Sequence, residues 1–142
     1  LIKGLNKYIG RTKLWTIGLY ETIIAVEERQ KLKFEQSNRL SLLIIDSTLE
    51  IAFKEFMLNE TGNRYSEQTV GSWDRIALQN KVKDHVTFKQ AAWPIIDHYY
   101  TRRCDLVHKR ATTQISDQEL KSYRDIAEYA LKKMFKLNFN HT

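Results

Sequence analysis

Residues 41–58 read SLLIIDSTLEIAFKEFML, and their apolar side chains cover almost every side of a helical cylinder. A helix at a protein surface is usually apolar on one face, whereas a helix that is apolar all round is buried among others. We therefore predict a central helix from about Ser37 to Glu60, in a bundle whose other helices pack around it. Asp46 and Glu50 are among the acids that interrupt its apolar surface.

Helical patterns also precede and follow this segment. Apolar residues recur at three- and four-residue intervals from about Thr12 to Lys31, which predicts an amphipathic helix. A shorter helix is predicted from about Trp73 to Val86, with Ser72 as its N-cap. The apolar residues of this shorter helix are Ile76, Leu78 and Val82. The polar run over residues 61–72 is expected to be a long connection.

Two long helices complete the predicted bundle. The first either begins at Thr87 and kinks at Pro94, or starts afresh with Pro94 in its first turn. The second opens at a capping box formed by Ser116 and Glu119 and ends near Lys136. The predicted fold is an all-α, up-and-down bundle of four long helices plus a short one over residues 12–137. Residues 1–11 are expected to be an N-terminal arm or linker, and residues 138–142 a tail.

Composition limits the classes of protein that the chain can belong to. Its 142 residues, 42% of them hydrophobic, suffice for the core of one domain but not of two. No stretch approaches the roughly 20 apolar residues that span a bilayer, so no membrane partner is expected. Cys104 is the only cysteine and cannot form an internal disulfide, which favours the reducing cytoplasm. The chain begins at Leu1 without an initiator Met, so we expect either a fragment, with other domains upstream, or a processed chain.

The formal net charge of +6 favours a polyanionic partner such as nucleic acid, although a solvated basic surface explains it equally well. No glycine-rich phosphate loop and no metal-binding motif occurs, so neither a metal nor a cofactor is expected.

The segment 98–110, HYYTRRCDLVHKR, contains the residues best suited to chemistry. On a helix, Arg103 falls near the centre of an apolar stripe, where an arginine is rarely found without a partner. It must meet a carboxylate, reach water at a dimer interface, or bind a phosphate. An ion pair with Asp46 or Glu50 is therefore the purely structural alternative to a catalytic role. The other residues of the stripe are Ile96, Tyr99, Tyr100, Leu106 and Val107.

His108 follows Arg103 by five residues, with Cys104 between them on the helix surface. An imidazole changes charge near neutral pH and can act as a general acid or base. The alternative is an exposed histidine at a helix end, stabilised by the helix dipole.

The sequence Arg103-Cys104-Asp105-Leu106-Val107-His108 resembles the Arg-x4–6-His motif of HEPN domains, and residues 41–58 resemble the central second helix of that family. The resemblance implies a HEPN-like bundle and a metal-independent endoribonuclease, commonly a homodimer with two motifs across one cleft. It implies that Arg103 stabilises the phosphate, that His108 transfers protons, and that attack by the ribose 2′-hydroxyl leaves a 2′,3′-cyclic phosphate. It also implies a toxin or defence system, in which an antitoxin or an upstream domain is a possible partner.

Cys104 departs from the family pattern, in which this position is often Asn, Asp or His. A thiol is a weak hydrogen-bonding group and orients the catalytic pair less well. The alternative function is therefore a catalytically inactive HEPN module that dimerises or binds RNA for a larger protein. In either case the expected RNA contacts near the motif are Arg102, Lys109, Arg110 and Tyr100.

Overall fold

The computed structural model describes residues 6, 9–11, 13–30, 37–109 and 113–139, and every regular element among them is helical. This confirms the all-α class. Within these ranges, helical residues at 6 and 9–11 precede six further helices. They are α1 (Trp15–Gln30), α2 (Ser37–Asn59), α3 (Glu67–Gly71), α4 (Arg75–Lys83), α5 (Ala92–His108) and α6 (Asp117–Phe135).

Helix α2 is the central element, as its sequence predicts. It packs against each of the other five helices, and it is the longest of them with 23 residues. Leu42, Ile45 and Phe53 are fully buried on its inner sides. Burial of such side chains contributes roughly 1.5–3 kcal/mol each, so this helix makes a large contribution to core stability.

One side of α2 remains open, contrary to the expectation of burial all round. Ile51 is 53% exposed. Beside this side, a groove of about 810 Å³ runs between α1 and α2, and its lining includes Gly18, Thr22 and Ile44. The apolar surface of α2 therefore exceeds what the described helices cover.

The capping box at the start of α6 is confirmed. The Ser116 hydroxyl accepts a hydrogen bond from the Glu119 backbone N–H at 3.1 Å, and Glu119 Oε2 accepts one from the Ser116 backbone N–H at 2.9 Å. Burial alone would raise the pKa of the Glu119 carboxyl, but the Ser116 N–H and the charge of Arg102 lower it below its usual value. The helix ends where Lys136 adopts a left-handed conformation with φ of 61°.

The region between α2 and α5 differs from the prediction. Residues 61–72 were expected to be a connection, but they contain α3, whose N-cap is Ser66. Helix α4 begins after Asp74, whose Oδ1 accepts a hydrogen bond from the Ala77 N–H at 2.8 Å, so the predicted Ser72 cap is wrong. Asp74 satisfies an N–H group of the first turn that Ser72, two residues earlier, would not reach.

Two further details of the prediction are settled by the positions of single residues. Helix α5 starts at Ala92, so the kinked helix from Thr87 is wrong and Pro94 lies in the first turn, where its missing N–H costs no helical hydrogen bond. Ile76 and Val107, expected on apolar faces, are 68% and 51% exposed. The buried face of α4 passes instead through Arg75, whose side chain takes part in the polar cluster described below.

The start of α4 provides a test of these assignments. We expect Asp74→Ala to lower the free energy of unfolding by about 1 kcal/mol, because it removes the N-cap. Ser72→Ala is the matched control and should have a clearly smaller effect. Urea denaturation of both variants measures the difference. Equal losses, or a larger loss for Ser72→Ala, would contradict the observed helix start.

Candidate functional site

The carboxylate of Asp46 is buried in the middle of α2 and is shared by three other helices. From α4, Arg75 Nη1 donates to Asp46 Oδ2 at 3.2 Å and Nη2 donates to Oδ1 at 3.0 Å. From α6, the hydroxyl of Tyr123 also donates a short hydrogen bond to Oδ1. An enclosed carboxylate without such donors would be strongly destabilising, and here both of its oxygens are satisfied.

Arg75 is itself buried, and its guanidinium is bonded along more than one edge. Its Nε donates to Gln79 Oε1 at 2.7 Å, and Gln79 Nε2 donates in turn to Asp97 Oδ1 at 2.7 Å. The guanidinium carbon lies 4.5 Å from the centre of the Tyr100 ring. Burial alone would lower the pKa of Arg75, but the Asp46 carboxylate and, after it, Tyr123 together raise it above its usual value. Arg75 therefore carries a permanent positive charge inside the fold.

Tyr123 connects the same carboxylate to the aromatic core. Burial raises the pKa of its phenol well above the usual value, and the negative charge of Asp46 raises it further. The hydroxyl therefore stays protonated and acts as the hydrogen-bond donor. Its ring stacks on that of Tyr99 from α5, with 4.7 Å between the ring centres.

Arg103 is the third side chain, and the second cation, to approach Asp46. Its Nε lies 3.6 Å from Asp46 Oδ2, so the ion pair proposed from the sequence is confirmed for Asp46. The Arg103 side chain remains 30% exposed. Its Nε is enclosed and has no hydrogen-bond partner among the described residues. One carboxylate thus faces two guanidinium groups, those of Arg75 and Arg103, and the cluster keeps a surplus positive charge next to solvent.

His108 lies on another side of α5. Since each residue of an α-helix turns about 100°, five residues separate the directions of Arg103 and His108 by about 140°. Arg103 falls within the buried side of α5, together with Ile96 and Tyr99, whereas His108 is exposed as the last residue of the helix. A single chain therefore does not direct the two side chains into one pocket.

The residues expected to shape the site differ in burial: Asp46 is buried, whereas Cys104 and Glu50 are half-buried. Cys104 is half-buried beside Tyr100. The pKa of Tyr100 is raised, first by burial of its phenol and then by the nearby thiol of Cys104. The Tyr100 ring, expected to contact RNA, packs over the guanidinium of Arg75. Glu50 is half-buried and forms no ion pair with Arg103 within the described ranges.

The expected RNA-binding cations near the motif already have protein partners. Arg102 donates from Nε to Glu119 Oε1 at 3.1 Å and from Nη2 to the backbone oxygen of Gln114 at 2.7 Å. Lys109 pairs with Asp105 at 3.0 Å but stays exposed. Arg110 lies outside the described residues. Arg102 thus joins α5 to the start of α6, while Lys109 retains access to solvent.

Arg75 and Tyr123 are cluster residues that the sequence interpretation missed. The signal for Arg75 was present, because it is three residues before Leu78 and seven before Val82, which share the buried face of α4. An arginine in an apolar stripe was the same observation that identified Arg103. Tyr123 carried no comparable signal, since a tyrosine on an apolar face is ordinary core.

Three comparisons, with family models, with curated proteins and with solved structures, found no match to the chain. Within the described ranges, no three side chains of the metal-binding types converge on one point. Over the same ranges, no helix combines the length and apolarity needed to cross a bilayer.

The energetic importance of the cluster can be measured directly. Asp46→Asn leaves Arg75 buried without a counter-charge, so we expect the free energy of unfolding to fall by about 3–5 kcal/mol. Asp125→Asn, which breaks the exposed pair with Lys121 on α6, is the matched control and should change it by less than about 0.5 kcal/mol. Urea denaturation gives both values. A loss below about 1 kcal/mol for Asp46→Asn would contradict a central role for this carboxylate.

Proposed function

We propose that the chain is a HEPN-like domain that binds RNA and cleaves it without a metal ion, through attack of a ribose 2′-hydroxyl on the adjacent phosphodiester. The observation that carries the proposal is the charge of the Asp46 cluster. One buried carboxylate is shared by Arg75 and Arg103, and the second of these is partly exposed. A guanidinium that is only partly neutralised and reaches solvent is suited to binding an anionic phosphate.

Arg103 would act on the phosphate oxygens. Its Nε is close to Asp46, which restrains the side chain and reduces the conformational freedom that binding would remove. Its planar guanidinium can contact two oxygens at once and offset the charge that accumulates on the pentavalent phosphorus. Arg75 is not suited to this role, because it is buried and each of its three guanidinium nitrogens already donates a hydrogen bond.

His108 would transfer the protons. The imidazole removes the proton of the 2′-hydroxyl as its oxygen attacks phosphorus, and the imidazolium so formed protonates the 5′-oxygen as the P–O5′ bond breaks. The products are a 2′,3′-cyclic phosphate and a 5′-hydroxyl. His108 is exposed at the end of α5, so a strand can reach it from solvent.

The divergence of the two side chains favours a site made by two copies of the chain. Arg103 and His108 leave α5 about 140° apart, so we propose that Arg103 of one copy acts with His108 of the other. A symmetric homodimer would form two such sites. A toxin or defence role, with an antitoxin or an upstream domain as partner, is the biological setting that the HEPN resemblance suggests.

The alternative is a HEPN-like module that binds RNA or dimerises without cleaving. Two observations favour it: Cys104 lies between the proposed catalytic residues, and Asp46 already neutralises part of the charge of Arg103. Both functions predict RNA binding, and only the first predicts cleavage.

Cleavage is tested with purified chain and single-stranded RNA in excess EDTA. We expect 2′,3′-cyclic phosphate products, and we expect Arg103→Ala and His108→Ala each to lower the cleavage rate by at least about 100-fold. His98→Ala removes another exposed imidazole of α5 and is the matched control, with unchanged activity. Cleavage that survives both substitutions contradicts the assignment, whereas RNA binding without cleavage by the unmodified chain supports the alternative.

Complementation tests whether the site is shared. Consider a heterodimer of one Arg103→Ala chain and one His108→Ala chain. If each site combines residues of two copies, one of its two sites retains both Arg103 and His108. If each site uses residues of one chain only, both sites lack a residue. With shared sites, co-refolded mixtures should recover about a quarter of the unmodified activity, because half of the random dimers hold one intact site. No recovery, although the mixed dimer forms, would place both residues of a site on one chain.

A further inference from the structure

Three aromatic rings form a cluster where α4, α5 and α6 meet, at the end of α5 opposite His108. Phe88, in the connection between α4 and α5, stacks on Trp93 with 4.9 Å between the ring centres. Its edge also contacts the ring of Tyr129 from α6, with a centre-to-centre distance of 5.7 Å. Phe88 is buried, whereas Trp93 and Tyr129 are half-buried, so part of each of these two rings remains accessible.

Lysines surround this cluster and lie over its accessible rings. The Nζ of Lys83, in the last turn of α4, is 5.0 Å from the centre of the Trp93 ring. The Nζ atoms of Lys89 and Lys133 are 4.7 Å and 5.9 Å from the centre of the Tyr129 ring. Cation–π attraction of this kind favours these positions for the ammonium groups.

The connection that carries Lys89 is held in place. The backbone N–H of Lys89 donates to the hydroxyl of Tyr129 at 2.7 Å, which joins this connection to α6. A ligand that binds the lysines would therefore order fewer chain segments than it would on an unrestrained loop.

The charge of these lysines is not balanced by ion pairs. Within the described ranges, Lys13, Lys109 and Lys121 each pair with a carboxylate. Lys83, Lys89 and Lys133 form no such pair with any described residue. Asp84 follows Lys83 as the C-cap of α4 and is exposed, but it makes no ion pair with these lysines within those ranges. Three uncompensated positive charges from three parts of the chain are thus collected on one surface.

We propose that this surface is a second contact site for single-stranded RNA, and we name it the lysine–aromatic patch. It consists of Lys83, Phe88, Lys89, Trp93, Tyr129 and Lys133. The choice of RNA as the polyanion rests on the proposed function. Single-stranded nucleic acid suits the patch better than an acidic peptide, because it offers both backbone phosphates for the lysines and bases for the half-buried rings.

The position of the patch relative to Arg103 is consistent with one continuous strand. Ten residues of α5 separate Trp93 from Arg103, a distance of about 15 Å along the helix axis. A strand held at the patch would keep a phosphodiester close to Arg103, and the patch would contribute to affinity without touching the reacting atoms.

Binding is tested with a fluorescent single-stranded RNA and the full chain carrying His108→Ala, so that cleavage does not interfere. In this background we expect Lys83→Gln, Lys89→Gln and Lys133→Gln together to weaken the Kd at least about tenfold at low salt. The slope of log Kd against log salt should fall by about 2, since each phosphate contact on single-stranded nucleic acid contributes about 0.7. The matched control loses the same three charges elsewhere, through Lys54→Gln, Arg64→Gln and Lys121→Gln, and should retain most of the affinity. Replacement of the three patch lysines by arginine should restore binding.

Equal losses in the patch and control variants would show an effect of net charge alone and overturn the patch, as would unchanged affinity in the patch variant. Patch-dependent binding of poly-glutamate as tight as that of RNA would overturn it in favour of an acidic protein partner. Thermal denaturation of each variant verifies that the fold is kept. If the chain binds RNA through the patch but does not cleave it, the patch is supported and the proposed nuclease activity is contradicted. If the chain cleaves RNA but binds it independently of the patch, the nuclease activity is supported and the patch is contradicted.

Discussion

The buried carboxylate of Asp46 is the constraint on which the rest of the structure depends. It lies on the central helix α2, where an unpaired charge would be strongly destabilising, and its donors come from α4 and α6. Apolar contacts supply most of the favourable free energy but specify positions along a helix only loosely. The directional bonds of Arg75 and Tyr123 to Asp46 specify the positions of α4 and α6 along α2, because a shift of either helix would break a hydrogen bond to the charged carboxylate.

The same constraint connects the fold to the proposed chemistry. Since Arg75 and Tyr123 occupy both oxygens of the carboxylate, Arg103 approaches with its Nε at 3.6 Å and is neutralised only in part. A guanidinium that is restrained by the core and still partly exposed differs from a surface arginine, which moves freely, and from Arg75, which is enclosed. At the other end of α5, the ammonium groups of exposed lysines lie over aromatic rings. Both regions present positive charge to solvent, which favours a polyanion over a neutral ligand.

The sequence predicted what periodicity and local hydrogen bonding determine. The apolar residues of α2 predicted its central position, and the Ser116–Glu119 capping box predicted the start of α6. For Arg103 the sequence offered Asp46 or Glu50 as an ion-pair partner, and the structure selects Asp46. What it did not predict depends on pairing between distant segments. The bond between Tyr123 and Asp46 spans 77 residues and has no local pattern. The choice of Asp74 over Ser72 as N-cap depends on where α3 ends. For the two candidate catalytic residues, the five-residue spacing on a helix already implies an angle of about 140° between their directions. The structure adds that Arg103 falls within the buried side of α5, whereas His108 is exposed at its end.

The most direct test of the central claim is an NMR titration of the arginine side-chain resonances with a short 2′-deoxy oligonucleotide, which cannot be cleaved by 2′-hydroxyl attack. If the Asp46 cluster presents Arg103 to phosphate, the Arg103 guanidinium resonance shifts with saturating concentrations while that of Arg75, bound to the same carboxylate, stays in place. An unchanged Arg103 resonance in a complex that is otherwise saturated would contradict the account.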